Sequence, residues 1–331
     1  MSHPPEIEVI EDILELPTPW RTHHGGTLTR ARVAYRIEGP ASAPIVAALG
    51  GISAHRFVSG DRPGGWWSAL VGAGRGIDTA KYRILGIDYL GGAGASCAAD
   101  AGAPLPALSA FDQAAALAEI LRGRRMAPLH AIVGASYGGM VALAFAARHA
   151  PLVERVVIIG AAHRPRPLAT AWRSVQRQIV REALGRGDGA AGLRLARALA
   201  MTTYRSAGEF DLRFSAPPVR EGDALRFPVE RYLFARGEDY VRKYRPESFL
   251  ALSESIDLFE IDPASVRTPA TVIGVREDQL VPLADMQALA GSLGGPCLLV
   301  QLSSLFGHDA FLKEGENLKP IVERALAEMM Q

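Results

Sequence analysis

The sequence predicts an α/β protein with a mostly parallel central sheet, flanked by helices and interrupted by a helical insert. Apolar runs that end at glycine, such as residues 43–51 and 82–92, are typical of strands buried on both faces. A segment with helical spacing, residues 111–126, follows these runs and precedes the next predicted strand. Because strands that alternate with helices pair in parallel through right-handed crossovers, the pattern indicates a parallel sheet.

The rest of the chain extends this pattern. The run "LHAIVGAS" predicts a strand, "GMVALAFAARHA" a helix, and residues 153–162 a further strand. The next hundred or so residues are rich in arginine and alanine at helical spacing and contain nothing typical of a core strand. Residues 268–282 and 295–312 then restore strands followed by loops, with a helix at "DMQALAGSL" between them. The predicted organisation is a first core part at 1–164, a helical insert at 165–264 and a second core part at 265–331.

Composition and charge exclude several classes of function. Lys and Arg total 36 against 35 Asp and Glu, so a net charge of +1 gives no bulk attraction to nucleic acid or to an anionic membrane. No apolar run approaches the roughly 18 residues that a membrane span needs, and the acidic N-terminus does not resemble a signal peptide. The two cysteines, Cys97 and Cys297, match no disulfide framework and no metal site. We therefore expect a cytoplasmic protein that acts on small molecules and holds no metal.

The segment "GASYGGM" at residues 134–140 carries the motif G-x-S-x-G, with Ser136 at its centre. A strand is predicted before it and a helix after it, which is the context of a nucleophile elbow. In such an elbow a sharp turn lifts the serine hydroxyl away from the sheet, and glycines two residues on either side make room for the strained backbone. The alternative is a small polar residue in a glycine-rich turn, but the flanking strand and helix favour a nucleophile.

A serine hydroxyl is a weak nucleophile and needs a base, together with an acid that orients the base. In elbow-bearing proteins the acid follows the serine along the chain, and the histidine comes last. Asp278 comes just after one predicted strand and His308 after the final one, so the predicted triad is Ser136, Asp278 and His308. Glu277 is an adjacent rival for the acid. A capping loop acid and a surface histidine are the corresponding alternatives without a catalytic role.

An oxyanion that forms at the nucleophile needs two backbone N–H donors. One is predicted at Tyr137, and the other in "ALGGISAH", at Leu49 or Gly50, where glycines allow close approach. Ordinary turn glycines are the alternative there. A second glycine motif, G-x-G-x-x-G at residues 187–192, follows a helix in the insert and not a first strand, so we interpret it as a loop between two helices.

In their order along the chain, these motifs resemble the homoserine O-acyltransferases, a family of the α/β-hydrolase fold that opens methionine biosynthesis. The resemblance runs from "GGTLTRARVAYRIEGP" and "GGWWSALVGAGRGIDTAKYRILGIDYLGG" through "GASYGGM", "SVQRQI" and "GLRLARALAMTTYRS" to "EDQLVP" and "GHDAFL". It implies an α/β-hydrolase fold with the insert as a lid, the triad named above, and Arg197 and Asp309 as contacts for homoserine. It also implies acyl-CoA as a co-substrate with no further cofactor, and a homodimer formed through the insert.

The chemistry of homoserine fits the two implied contacts. A guanidinium binds a carboxylate through two parallel hydrogen bonds, and an aspartate pairs with an ammonium. Without the resemblance, Arg197 would be interpreted as a surface arginine on an amphipathic helix, and Asp309 as the N-cap of a helix.

Two departures from the family pattern bear on the acyl donor. Where acetyl-using members commonly have a sequence close to "HALTG", this chain has "AALGGISAHR", and Arg173 stands where they often have a neutral residue. Since a succinyl group carries a free carboxylate, an additional arginine at the acyl pocket favours succinyl-CoA over acetyl-CoA. Arg173 is the first candidate and Arg56 the second, against the alternative that both are solvated.

Three other functions stay open at this point. A serine esterase of the same fold would cleave esters without any need for homoserine. A relative within the family would transfer the acyl group to serine or to another hydroxyl, because an arginine and an aspartate select an amino acid but not its length. The third is a binding protein that retains the fold, although an intact triad argues against it. The sequence favours a homoserine O-acyltransferase that uses succinyl-CoA, with acetyl-CoA as the alternative donor.

Overall fold

The computed structural model describes residues 7–61, 63–97 and 105–327. An eight-stranded sheet forms its centre, and two short two-stranded sheets lie outside it. The strands in the described residues are β1 Ile7–Glu15, β2 Trp20–Arg21, β3 Thr27–Leu28, β4 Arg32–Pro40, β5 Ile45–Leu49, β6 Arg83–Ile87, β7 Ala131–Ala135, β8 Val156–Ile159, β9 Val219–Glu221, β10 Ala224–Arg226, β11 Ala270–Val275 and β12 Cys297–Leu302. The helices are α1 Ala110–Gly123, α2 Tyr137–Arg148, α3 Pro167–Gly185, α4 Gly189–Tyr204, α5 Ala207–Phe214, α6 Pro228–Val241, α7 Pro246–Asp257, α8 Leu283–Ser292, α9 Ala310–Lys313 and α10 Gly315–Ala327.

The central sheet has the strand order β1-β4-β6-β5-β7-β8-β11-β12. From β6 to β12 neighbouring strands are parallel, whereas β4 pairs antiparallel with both β1 and β6. The predicted α/β fold with a mostly parallel sheet is therefore confirmed. The antiparallel edge formed by β1 and β4 is an addition that the sequence patterns do not predict.

Burial explains why the central strands are continuous apolar runs. Every residue of β5, β7, β8 and β11 is buried. Along β5, Ala47 and Leu49 enter one apolar cluster while Val46 and Ala48 enter another, because successive side chains of a strand point to opposite faces of the sheet. Packing on both faces holds the sheet in place, and its carboxyl-terminal edge carries the loops in which the candidate site residues lie.

Between β8 and β11 the chain leaves the sheet and forms α3 to α7, within the segment predicted as the insert. Helix α3 packs closely on α4 at Gly192, where a Cβ atom would lie 2.4 Å from the Cβ of Ala183. The motif at residues 187–192 spans the turn between these helices and the start of α4, as interpreted from the sequence. The insert also contains the exposed hairpin of β9 and β10, which the sequence patterns do not predict. None of the described helices is both long and apolar enough to cross a membrane.

Candidate active site

Ser136 occupies the sharp turn between β7 and α2. Its backbone angles, φ 54° and ψ −122°, lie in a region that non-glycine residues rarely adopt, so the turn is strained as an elbow requires. A Cβ on Gly134 would lie 2.3 Å from the Gly138 carbonyl oxygen, and one on Gly138 would lie 2.3 Å from the Leu49 carbonyl oxygen. Both glycines are therefore needed for the strand, the turn and the helix to approach this closely.

The side chains of Ser136, His308 and Asp278 form a continuous hydrogen-bonded chain. His308 Nε2 lies 2.8 Å from Ser136 Oγ, and its Nδ1 lies 2.7 Å from Asp278 Oδ2. The other oxygen of Asp278 accepts the backbone N–H groups of Leu280 and Val281 at 2.8 and 2.9 Å. These contacts fix the carboxylate against the imidazole ring, so His308 is oriented to take the proton of the serine hydroxyl.

The adjacent acid, Glu277, is directed elsewhere. Its carboxylate accepts the Ser303 hydroxyl at 2.5 Å and the Ser304 N–H at 2.8 Å. Of these two neighbouring acids, only Asp278 therefore contacts the ring of His308.

The environment of His308 suits a general base. Burial alone would lower the pKa of His308, because it disfavours the charged ring. The Asp278 carboxylate acts in the opposite direction through its charge and its hydrogen bond, and Asp309 adds to it, so the pKa of His308 is raised above its usual value. The imidazolium is thus stabilised once the ring has accepted a proton, as acyl transfer requires.

The backbone around the elbow offers donors for an oxyanion. Tyr137 is the first residue of α2 and lines the cavity in front of the nucleophile, and N–H groups in the first turn of a helix have no partner within that helix. Leu49 ends β5 and Gly50 follows it, but the described residues of this loop that line the cavity begin at Gly51. The Gly50 carbonyl accepts the Gly138 N–H at 2.8 Å, which fastens the loop to the elbow. The loop after β5 therefore lies where the second donor is expected.

A cavity of about 240 Å³ opens in front of the nucleophile. Loops from the edge of the sheet form one wall, and helices α3, α4 and α7 of the insert form the other. Its lining includes Arg197 and Asp309, the two residues that the family resemblance implied as substrate contacts. Two opposite charges thus share a small cavity with the nucleophile, an arrangement that suits a zwitterionic amino acid.

Arg197 presents an unpaired guanidinium to this cavity. Its central carbon lies 5.1 Å from the ring centroid of Tyr204 and 4.6 Å from that of Tyr240, and within the described part of the chain it forms no salt bridge. Burial disfavours its charge, but the two tyrosines and Asp309 favour it more, so the pKa of Arg197 is raised. Arg197 is therefore a permanent cation that can bind an anionic group in the cavity.

Asp309 lies buried in the cavity wall, next to His308. Burial raises the pKa of Asp309, while the nearby cations Arg205 and Arg197 oppose that rise. Arg205 Nε lies 3.1 Å from Asp309 Oδ2 without the alignment of a hydrogen bond, and Arg205 also binds both carboxylate oxygens of Glu209 at 3.1–3.2 Å. Because Arg205 is shared with a second acid, Asp309 retains the capacity to pair with another cation.

Arg173 on α3 lines the same cavity and forms a cluster with Arg177 and Asp257. Its Nε and Nη2 atoms donate to Asp257 Oδ1 at 2.9 and 2.6 Å, and Arg177 Nη1 donates to Asp257 Oδ2 at 2.6 Å. All three side chains are largely buried. Two guanidinium groups share one carboxylate, so the cluster keeps a net positive charge beside the cavity.

Arg56, the second candidate for donor selection, is absent from the described residues that line this cavity. Its guanidinium is held between Glu11 at 2.9 Å and Asp88 at 2.5 Å, and it lines a neighbouring cavity. Two carboxylates balance the charge of Arg56. Of the two candidates for donor selection, the structure therefore places only Arg173 in the wall of the catalytic cavity.

Several residues that line the catalytic cavity do not follow from the sequence patterns. Trp66, Trp172 and Gln176 are examples, and Tyr204 is another. Two of them have a detectable signal: Tyr204 lies seven residues after Arg197 on α4, and Gln176 lies three residues after Arg173 on α3, so each shares a helix face with a candidate arginine. Trp66 comes from the long loop between β5 and β6, whose course no periodic pattern specifies.

Comparisons with known proteins agree with this architecture. A sequence model of the alpha/beta hydrolase fold matches residues 58–315. The strand order, the nucleophile elbow and the hydrogen-bonded serine, histidine and aspartate define an α/β-hydrolase-fold protein with a Ser-His-Asp site.

Two similar proteins identify the family within this fold class. A homoserine O-succinyltransferase of Xanthomonas campestris pv. campestris is 44% identical over 300 residues, which cover 89% of this chain and 79% of that protein. An L-serine/homoserine O-acetyltransferase of Streptomyces lavendulae is 33% identical, with 95% of this chain and 96% of that protein covered. The chain belongs to the homoserine O-acyltransferase family. Among solved structures, a homoserine O-acetyltransferase from Bacillus anthracis has a TM-score of 0.86 at 18% sequence identity. The superposition covers 98% of this chain and 99% of the Bacillus chain, so the two proteins share the fold.

Proposed function

We propose that the protein is an L-homoserine O-acyltransferase that takes an acyl group from acyl-CoA, with succinyl-CoA favoured, and passes it to the γ-hydroxyl of homoserine through an acyl-Ser136 intermediate. The observation that carries the proposal is the presence of Arg197 and Asp309 in the same cavity as Ser136 and His308. An esterase of simple esters needs no such pair, whereas an amino acid presents a carboxylate and an ammonium that match it. The 44% identity to a homoserine O-succinyltransferase supports the same acceptor.

The first half-reaction loads the serine. His308 Nε2, 2.8 Å from Ser136 Oγ, accepts the hydroxyl proton while Oγ attacks the carbonyl carbon of the thioester. The Tyr137 N–H and the loop after β5 stabilise the negative charge that develops on the carbonyl oxygen. The carbon–sulfur bond then breaks, CoA leaves as the thiol with the proton from His308, and the serine carries the acyl group as an ester.

The second half-reaction unloads the serine onto homoserine, whose carboxylate binds Arg197 and whose ammonium binds Asp309. His308 accepts the proton of the γ-hydroxyl as its oxygen attacks the ester carbonyl. The bond to Ser136 Oγ then breaks, and His308 returns the proton to that oxygen. Each half-reaction leaves the triad in its starting protonation state, so the two alternate as a ping-pong cycle.

Transfer competes with hydrolysis, so the acyl-serine must be kept from water. Helices of the insert cover the cavity, and its lining includes apolar side chains such as Met140, Trp172 and Ile256. An apolar wall gives a water molecule few hydrogen-bond partners. The hydroxyl of a bound amino acid therefore has the advantage over solvent.

The preference for a succinyl donor rests on Arg173. Its cluster with Arg177 and Asp257 keeps a net positive charge at the cavity, which favours the free carboxylate of a succinyl group. Acetyl-CoA is the alternative donor, because Asp257 already engages two of the three nitrogen atoms of the Arg173 guanidinium.

Release of CoA by the purified protein tests the proposal. We expect thiol release from succinyl-CoA to depend on L-homoserine and to be faster than from acetyl-CoA, with O-succinylhomoserine as the product by mass spectrometry. L-Serine is the matched acceptor, because it has the same charged groups and one carbon fewer. Release that is indifferent to either amino acid would identify a hydrolase and contradict the proposal, and a preference for serine would replace the proposed acceptor.

A homodimer formed through the insert and a cytoplasmic location accompany the proposal as expectations from the family resemblance, and both stay predictions. Size-exclusion chromatography with light scattering tests the first of them. The second is tested by the fractionation of cells that produce the protein.

A further inference from the structure

A second cavity, of about 490 Å³, adjoins the catalytic cavity. The two share four lining residues, Ser53, Ala54, Trp66 and Arg197, and so meet at one boundary. Apart from Arg197 at that boundary, neither the triad nor the acceptor contacts line this second cavity. Its volume lies within the range of small-molecule sites, so it has room for a group larger than an acyl chain.

Positive charge exceeds negative charge around this second cavity. Its lining contains the cations Arg56, Arg197, Arg236 and Lys243 and the carboxylates of Asp88 and Asp239. Arg56 pairs with Asp88 at 2.5 Å, and Arg236 pairs with Asp239 at 2.9 Å. Lys243 and Arg197 form no salt bridge with any residue that the structure describes. These two cations are therefore available to a ligand, and the expected occupant is an anion.

Aromatic side chains make much of the remaining wall and are held in place. Tyr240 and Tyr244 stack with their ring centroids 5.0 Å apart. Their hydroxyls hydrogen-bond to Ser53 Oγ at 3.0 Å and to the Ile52 carbonyl at 2.7 Å. Trp66 stacks on the neighbouring tryptophan at 4.7 Å and donates its indole N–H to a backbone carbonyl at 2.9 Å. These rings form a preorganised wall for an organic group and not only for an inorganic ion.

We propose that the second cavity binds the phosphorylated end of the CoA thioester, with Lys243 as a phosphate anchor. This inference rests on the proposed function, because a donor that reaches Ser136 with its thioester must place its phosphates outside the small catalytic cavity. The boundary at Trp66 and Arg197 is the connection through which the arm of the donor passes. Since Arg197 is also the acceptor contact, CoA has to leave before homoserine occupies its full site.

The test is the charge reversal Lys243→Glu, with Arg242→Glu as the matched control. Arg242 precedes Lys243 in the chain and is exposed, and it is not among the described residues that line the second cavity. Two donors are compared, succinyl-CoA and the succinyl thioester of N-acetylcysteamine, which has the same reacting bond and no phosphate. KM and kcat are measured for each donor with homoserine saturating, and thermal unfolding checks that each variant folds.

We expect Lys243→Glu to raise the KM for succinyl-CoA about tenfold, since it replaces an attraction with a repulsion at an exposed site, and to leave kcat unchanged. The KM for the short thioester should not change, and Lys243→Gln should give a smaller rise confined to succinyl-CoA. Equal effects of Lys243→Glu and Arg242→Glu, or an equal rise in KM for both donors, would overturn the assignment. If the unaltered protein releases no thiol from either donor in a homoserine-dependent way, the proposed function fails first and the inference fails with it.

Discussion

Replacing Arg197 by methionine tests the acceptor site without removing the acyl carrier. Methionine fills much of the space between Tyr204 and Tyr240 but lacks the charge and the N–H donors of the guanidinium. If Arg197 holds the carboxylate of homoserine through two charge-assisted hydrogen bonds of about 1.5–3 kcal/mol each, the loss is roughly 3–6 kcal/mol. That loss corresponds to a fall of about 10²- to 10⁴-fold in kcat/KM for homoserine.

The same substitution should have little effect on folding. Arg197 is desolvated and has no salt bridge within the described structure, so burial of its charge costs solvation free energy. Its contacts with the two tyrosine rings act in the opposite direction by about 0.5–1 kcal/mol each. Because the two effects oppose each other, we expect the thermal midpoint of Arg197→Met to stay within about 5 °C of that of the unaltered protein.

Rapid mixing with succinyl-CoA and no acceptor measures the first half-reaction as a burst of free CoA. With saturating succinyl-CoA, we expect the amplitude of the burst of Arg197→Met to match that of the unaltered protein, while its steady-state turnover with homoserine collapses. The control is Arg194→Met on the same helix, where Arg194 pairs with Glu238 at 2.7 Å and does not belong to the described cavity lining; both phases should be unaffected. An equal loss in burst and turnover for Arg197→Met would refute its role as an acceptor contact.

Three further substitutions test other parts of the site. Asp278→Asn should lower kcat about 10⁴-fold, because asparagine does not hold the reactive tautomer of His308. Since the carboxylate raises the pKa of His308, its removal lowers that pKa, so the acidic limb of kcat/KM against pH should move to lower pH; a move to higher pH would contradict the contact. Gly138→Ala should lower both activity and the thermal midpoint, because the new Cβ would lie 2.3 Å from a carbonyl oxygen. Gly291→Ala, in open space on α8, should instead stabilise by about 0.5–1 kcal/mol in chemical denaturation, and similar stabilities for the two variants would count against the tight elbow. Arg173→Ala should reduce the rate of thiol release from succinyl-CoA and leave the rate from acetyl-CoA unchanged. An equal loss with both donors, or no loss, would contradict the donor assignment.

The site residues that can be predicted from the sequence are those that come directly after strands. Ser136, Asp278 and His308 each come after a predicted strand, and parallel strands bring their carboxyl ends to one edge of a sheet. Order along the chain therefore predicts proximity in space for these residues. The structure places them within hydrogen-bond distance of one another.

The parts that do not follow from the sequence depend on contacts between distant segments. Arg173 on α3 pairs with Asp257 on α7, and Arg56 pairs with Glu11 on β1. Strand β1 is an edge strand whose residues are mostly exposed, so its own pattern is weak and its pairing with β4 decides its structure. Such ion pairs determine which arginines are available to a substrate, and no local pattern shows them.

The central claim, that Ser136 carries an acyl group and passes it to homoserine, is tested most directly by mass spectrometry of the intact protein and of its proteolytic peptides. With succinyl-CoA alone, the protein should gain the mass of one succinyl group on the peptide that contains Ser136, and Ser136→Ala should gain none. Addition of L-homoserine should remove the added mass and yield an equal amount of O-succinylhomoserine. No added mass in the presence of the donor, or an acyl group that water removes as fast as homoserine does, would contradict the account.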